Sequence, residues 1–69
     1  MGNKRMVEVA VEIKVSTDKA ILVSDGSEEI WVPISQVKEL ENVSDLEEAI
    51  ANLEVITIPE WLAIQKGLI

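Results

Sequence analysis

Ten residues near the start of the chain constrain its fold more than any others. In Met6–Val15, the positions Val7, Val9, Val11, Ile13 and Val15 alternate with Glu8, Ala10, Glu12 and Lys14. A period of two places β-branched side chains on one face and mostly charged ones on the other, the pattern of a strand half-buried over a core. The chain is therefore expected to build a sheet with one apolar face.

Two further strands are expected at Lys19–Ser24 and Glu28–Ile34, joined through Asp25-Gly26. Asp-Gly between apolar runs favours a tight hairpin, because both central residues of its turn need positive φ. A two-residue loop would pair Ile21 with Ile30 and Ala20 with Trp31. Ile21, Val23, Ile30, Val32 and Ile34 then share the core face. Leu22 and Trp31 fall on the second face, where a helix, a closed small barrel or a partner could cover them. Pro33 has no N–H for a ladder, so the third strand ends or lies at an edge there. Ser35–Lys38 reads as a turn or one short helical turn.

Ser44–Asn52 reads as a short helix, with Ser44 and Glu47 spaced as a capping box. Leu53–Ile58 is a fourth strand, rich in β-branched residues. Thr57-Ile58-Pro59-Glu60 has the form of another helix start, with Pro in the first turn. The helix that follows is expected over Pro59–Lys66, with Gly67 just past its end. Trp61, Ile64 and Leu68 form its apolar stripe, expected to pack on the sheet, with Leu62 beside it. The fold class is α+β: an antiparallel sheet of about four strands, made of a three-stranded meander and a later fourth strand. A short middle helix and a C-terminal helix complete it. Residues 6–69 form one small domain, and residues 1–5 are expected to be a disordered N-terminus.

A 69-residue chain buries only about 60% of its unfolded surface and is marginally stable. Small domains often add disulfides or a metal, but this chain has no Cys and no His. It must rely on packing, with self-association as an expected aid. The same absence removes the usual zinc ligands, the cysteine nucleophile and the commonest general base. The three glycines, Gly2, Gly26 and Gly67, form no phosphate loop. Glu28-Glu29 and Glu47-Glu48 are adjacent pairs whose side chains diverge, as solvated surface carboxylates do. Asp25-Gly26-Ser27-Glu28 lacks the ligand spacing of a calcium loop. The expectation is a protein without catalytic residues, cofactor or metal.

Net charge is −7, from 13 acids against 6 bases. Phosphate backbones and anionic lipids repel such a surface, which disfavours direct nucleic-acid binding. No run approaches the roughly 20 apolar residues of a membrane span, and Met1–Arg5 is polar, so a cytoplasmic, non-membrane setting is expected. Glu39, Glu41, Asp45, Glu47, Glu48 and Glu54 lie in a stretch that holds no Lys or Arg. Together with Trp31 they make the candidate interaction surface. A protein partner with a basic surface is expected to meet it, since a folded array of carboxylates can imitate the charge spacing of DNA phosphates.

Two segments carry a resemblance. Ile30-Trp31-Val32-Pro33-Ile34-Ser35-Gln36 resembles a Trp-x-Pro-x-Ser-Gln element. Ile58-Pro59-Glu60-Trp61-Leu62-Ala63-Ile64-Gln65-Lys66-Gly67-Leu68 resembles an Ile-Pro-Glu-Trp-Leu-Ala-x-x-Lys-Gly-Leu ending. The pair is similar to segments of small uncharacterised proteins encoded by phages, prophages and plasmids. The likeness covers roughly Lys19–Ser35 and Ile56–Leu68 and departs in the middle, where those proteins have a shorter connection. It implies a mobile-element origin and a cytosolic setting, and no activity. The functional expectation is a small acidic protein-interaction module, such as an inhibitor or modulator of a nucleic-acid-handling enzyme. A homo-oligomeric accessory protein is the alternative, and a nucleic-acid-binding module a more distant one.

Overall fold

The computed structural model of the protein describes residues 5–69. The expected disordered N-terminus therefore lies outside the described residues except for Arg5, whose carbonyl accepts the Glu60 amide at 2.7 Å. The fold is α+β, with two antiparallel sheets, two short helices and two 3-10 turns. One sheet pairs β1 (Met6–Ala10) with β5 (Val55–Pro59), and the other has the order β2 (Glu12–Ser16), β3 (Ala20–Ser24), β4 (Glu29–Pro33).

Five strands replace the expected four because the first one divides. Met6–Ala10 pairs with β5, Glu12–Ser16 pairs with β3, and Val11 sits between them, its amide donating to the Glu54 carbonyl at 3.0 Å. Alternation holds through the break: Val9 is buried, and Val7, Val11 and Ile13 pack against the core. It fails at Val15. Ile13 lies opposite Val23, but Val15 lies opposite Leu22, so a bulge at Lys14 adds one residue to β2. One extra residue reverses the facing of everything beyond it. Val15 therefore leaves the core face and is 48% exposed.

The β3–β4 hairpin also differs from expectation. Ser24 pairs with Glu29, leaving a four-residue loop, and the register sets Ile21 against Val32, Leu22 against Trp31 and Val23 against Ile30. Asp25 supplies the reason. Its Oδ1 accepts the Ser27 and Glu28 amides, each at 2.9 Å, and the Ser27 hydroxyl at 3.2 Å. This side-chain-closed turn outcompetes the two-residue loop, and only Gly26 needs positive φ, at 102°. The shift is by an even count, so Ile21, Val23, Ile30 and Val32 still face the core.

The 3-10 turns Ile34–Gln36 and Lys38–Leu40 follow β4 and deliver Val37 and Leu40 to the core. Asn42 then turns the chain at φ 59°, a conformation Asn tolerates better than most residues. Helix α1 (Leu46–Ala51) starts one residue later than expected. Asp45, not Ser44, caps it, its Oδ1 accepting the Glu48 amide at 3.2 Å. Asp and Ser are comparable caps, and Ile50 of this helix is buried in the core.

Helix α2 (Glu60–Gln65) follows β5 directly, with no side-chain cap. It ends as expected at Gly67, φ 77°. The Gly67 amide donates to Ile64 at 3.1 Å and the Leu68 amide to Ala63 at 2.8 Å, the paired bonds of a Schellman ending. Its packing face is not the expected one. Leu62 and Ala63 are buried, whereas Trp61 and Ile64 are each 59% exposed. Six residues make too few turns for a long stripe, and Pro59, held opposite Met6 in the β1–β5 pair, fixes the rotation of the helix about its axis.

One cluster unites both sheets and both helices. Ile21, Ile56, Ile58, Val23, Val32 and Val37 are fully buried at its centre. Among the described residues no polar or charged side chain is buried.

Candidate functional site

The outer face of the β2–β3–β4 sheet carries three cross-strand rows. Directly opposed residues in antiparallel strands share a face. Ladder pairs therefore align Glu12, Ser24 and Glu29 in one row, Val15, Leu22 and Trp31 in the next, and Ala20 with Pro33 in the last. The middle row is apolar from edge to edge. Trp31 is 46% exposed and Leu22 partly buried, and the Lys14 bulge brings Val15 into line with them. With strands about 4.8 Å apart, the row spans about 10 Å before side chains are counted. Two exposed carboxylates, Glu12 and Glu29, edge it on one side. Glu12 Oε1 also pairs with Lys14 Nζ at 3.3 Å.

The bulge makes this row contiguous, and the sequence concealed it. Strict alternation places Val15 with the core residues, and nothing in Glu12–Ser16 announces an extra residue. Glu29, expected as ordinary solvated surface, lies at the rim of the row. Trp61, expected to be docked on the core, is instead exposed beside Ile64 on α2.

Two members of the acidic stretch, Glu39 and Asp45, also make hydrogen bonds within the fold. Glu39 is part of the fold: its Oε1 accepts the Thr57 amide at 2.7 Å, and its Oε2 accepts the Thr57 hydroxyl at 2.6 Å. Partial burial opposes its charged form. The two Thr57 donors outweigh that cost and hold the carboxyl below the ordinary glutamate range. The carboxylate thus occupies an amide of β5 that the β1 ladder does not use. Asp45 caps α1, and Glu47 and Glu48 stand exposed in the helix's first turn, where acids suit the local dipole. Glu41 is exposed beyond the second 3-10 turn. Glu54 is exposed where its carbonyl meets Val11. The amides of Glu28 and Ser27 likewise hold Asp25 below the usual carboxylate range, a turn-closing role.

Among the described residues no group of three or more acids is arranged to hold a metal ion. No helix among them is long and apolar enough to cross a membrane. Lys14 is on β2, Lys19 in the turn before β3, Lys38 in the second 3-10 turn and Lys66 just past α2, and Lys14 stands among carboxylates. No family model, curated protein or solved structure matches the chain.

Proposed function

We propose that the protein is a non-catalytic interaction module. It grips a protein partner through the Val15–Leu22–Trp31 row and steers that partner with its acidic surface. The observation that carries this reading is the row itself: an apolar band across a three-stranded sheet, with Trp at one end and carboxylates at the rim. Binding energy concentrates on buried aromatic anchors with a polar surround. Net charge −7 favours a partner with a basic surface, and enzymes that handle nucleic acid present one. With the resemblance to mobile-element proteins, this supports an inhibitor or modulator of such an enzyme in the cytoplasm. Direct nucleic-acid binding is disfavoured by the net charge of −7, and Lys14 is ion-paired to Glu12.

Self-association is the second reading. Exposed Trp31 and Trp61 on so small a chain favour it, although copies at −7 repel one another. The test is affinity capture from the native cell with wild type and with a folded Leu22→Ser/Trp31→Ser variant, read by mass spectrometry. A partner with a basic surface that is captured by wild type and lost by the variant is expected. Equal capture by both would remove the row from the interface. Recovery of the chain alone, with sedimentation above 7.6 kDa, would favour the homo-oligomer.

A further inference from the structure

The β1–β5 ladder stops where the Val11 amide meets the Glu54 carbonyl. The chain preceding Glu54 then leaves through Leu53 to α1, and among the described residues no strand takes its place beside β2. Strand β2 is at the edge of its sheet, and beyond its ladder to β3 no backbone hydrogen bond reaches Glu12–Ser16 among the described residues. An open groove runs along this strand. Residues 11–16 form one wall, and Ile50, Leu53, Glu47 and Glu54 stand across from them.

We propose that this groove binds an extended, basic segment of a partner protein, which adds to the open edge of β2 as a further strand. The inference rests on the interaction-module reading and names the chemistry of the partner at a second contact, continuous with the apolar row at Val15. Three features of the groove define the occupant. Unpaired main-chain groups ask for a strand, because strand addition takes its affinity from backbone bonds. The strand is five residues long, about 16 Å, which sets the length of the segment. Charge sets its sign. Glu12, Glu47 and Glu54 line the groove, and Asp18 lies in an adjoining recess that shares Ser16, Glu47 and Ile50. The one base in the lining, Lys14, is already paired with Glu12 at 3.3 Å. An occupant alternating small apolar residues with Lys or Arg would set the first against Ile50 and Leu53 and the second against the carboxylates.

A second copy of this chain is a poor occupant. Its own strands carry Glu8, Glu12 and Glu29, which would meet the groove's acids.

The test uses the full chain, labelled with 15N, at low salt. Three capped nine-residue peptides serve as probes: alternating lysine and valine, the same peptide with its two central valines changed to proline, and alternating glutamate and valine. The lysine–valine peptide is expected to bind and to shift amides of residues 11–16 and of α1. The proline peptide is expected to bind at least tenfold more weakly, because proline lacks the donor and breaks strand geometry. The glutamate peptide should not bind. A Glu47→Lys/Glu54→Lys variant that retains its melting transition should lose at least tenfold. Equal binding of the lysine and proline peptides, or shifts confined to the Leu22 and Trp31 strands, overturns strand addition. The peptide comparison uses unmodified protein, so it decides even if a charge reversal unfolds the chain. Failure here, with partner capture still lost in the Leu22→Ser/Trp31→Ser variant, removes the groove and leaves the interaction module standing. Loss of that capture effect as well removes both.

Discussion

Glu39 should behave as part of the fold rather than as surface charge, and Glu39→Ala isolates that role. The substitution deletes acceptors for two Thr57 donors, at 2.7 and 2.6 Å. Hydrogen bonds to a charged group contribute about 1.5–3 kcal/mol each when protected from water. Glu39 is exposed and Thr57 only half-buried, so water replaces part of the loss and solvent screening reduces it further. A net cost of about 2 kcal/mol follows, against a total stability on the order of 3–10 kcal/mol for 69 residues. For a domain of this size that lowers Tm by about 10 °C. Thermal unfolding followed by circular dichroism at pH 7 measures it. Glu41→Ala is the control, since that side chain makes no hydrogen bond or ion pair among the described residues, and its Tm should move by no more than about 3 °C. The pH dependence gives a second check. The folded carboxyl is depressed below 4.5, so its contribution is complete above that value and disappears as pH falls through the lower, folded one. The Tm difference between wild type and Glu39→Gln should therefore shrink on acidification from pH 6 to pH 3. Equal melting of Glu39→Ala and Glu41→Ala at pH 7, or a difference independent of pH, would refute the clamp.

Three further outcomes follow from the geometry. Val9→Asp should unfold the domain, because it places a carboxylate opposite Ile56 in the core, at a cost of several kcal/mol. Glu8→Ala on the opposite face should melt with wild type, and calorimetry of both separates the faces of β1. Gly26→Val should cost roughly 1–2 kcal/mol in chemical denaturation. No atom crowds a Cβ there, so the loss comes from φ 102° alone, and an unchanged midpoint would contradict it. Glu47→Lys/Glu48→Lys places two cations at a helix start and should cost about 0.3–1 kcal/mol each. With a basic partner it should slow association more than it speeds dissociation. That difference should fade in 1 M salt, where the Debye length is about 3 Å, and stopped-flow rates at two salt concentrations read it.

Much of the architecture was legible because it rests on local rules. Alternation at Val7, Val9, Val11 and Ile13 identified a strand and its core face, and Gly67 marked the end of α2. The elements that escaped depend on choices among nearly equal local options. Asp45 and Ser44 are both competent caps, and the residue types alone do not choose between them. Asp25 can serve a two-residue turn or close a four-residue one. The bulge at Lys14 has no local signal, since Lys-Val in a strand reads as ordinary alternation, yet it moves Val15 from core to surface. Of the candidate residues, Trp31 was found through its place on the same sheet face as Leu22, although the expected register set it opposite Ala20; the observed register is shifted by two residues, and the even shift preserved the face. Glu39 was legible as a charge but not as a hydrogen-bond acceptor, because its partner Thr57 lies 18 residues away.

The chain holds two tryptophans, so their indole N–H resonances report separately on the outer sheet face and on α2. Two-dimensional NMR of the 15N-labelled protein, titrated with its captured partner, tests the interaction surface most directly. The Trp31 indole is expected to shift or broaden in step with binding, while Trp61 keeps its free position. Movement of Trp61 alone, or of neither indole as the complex forms, would contradict the proposed surface.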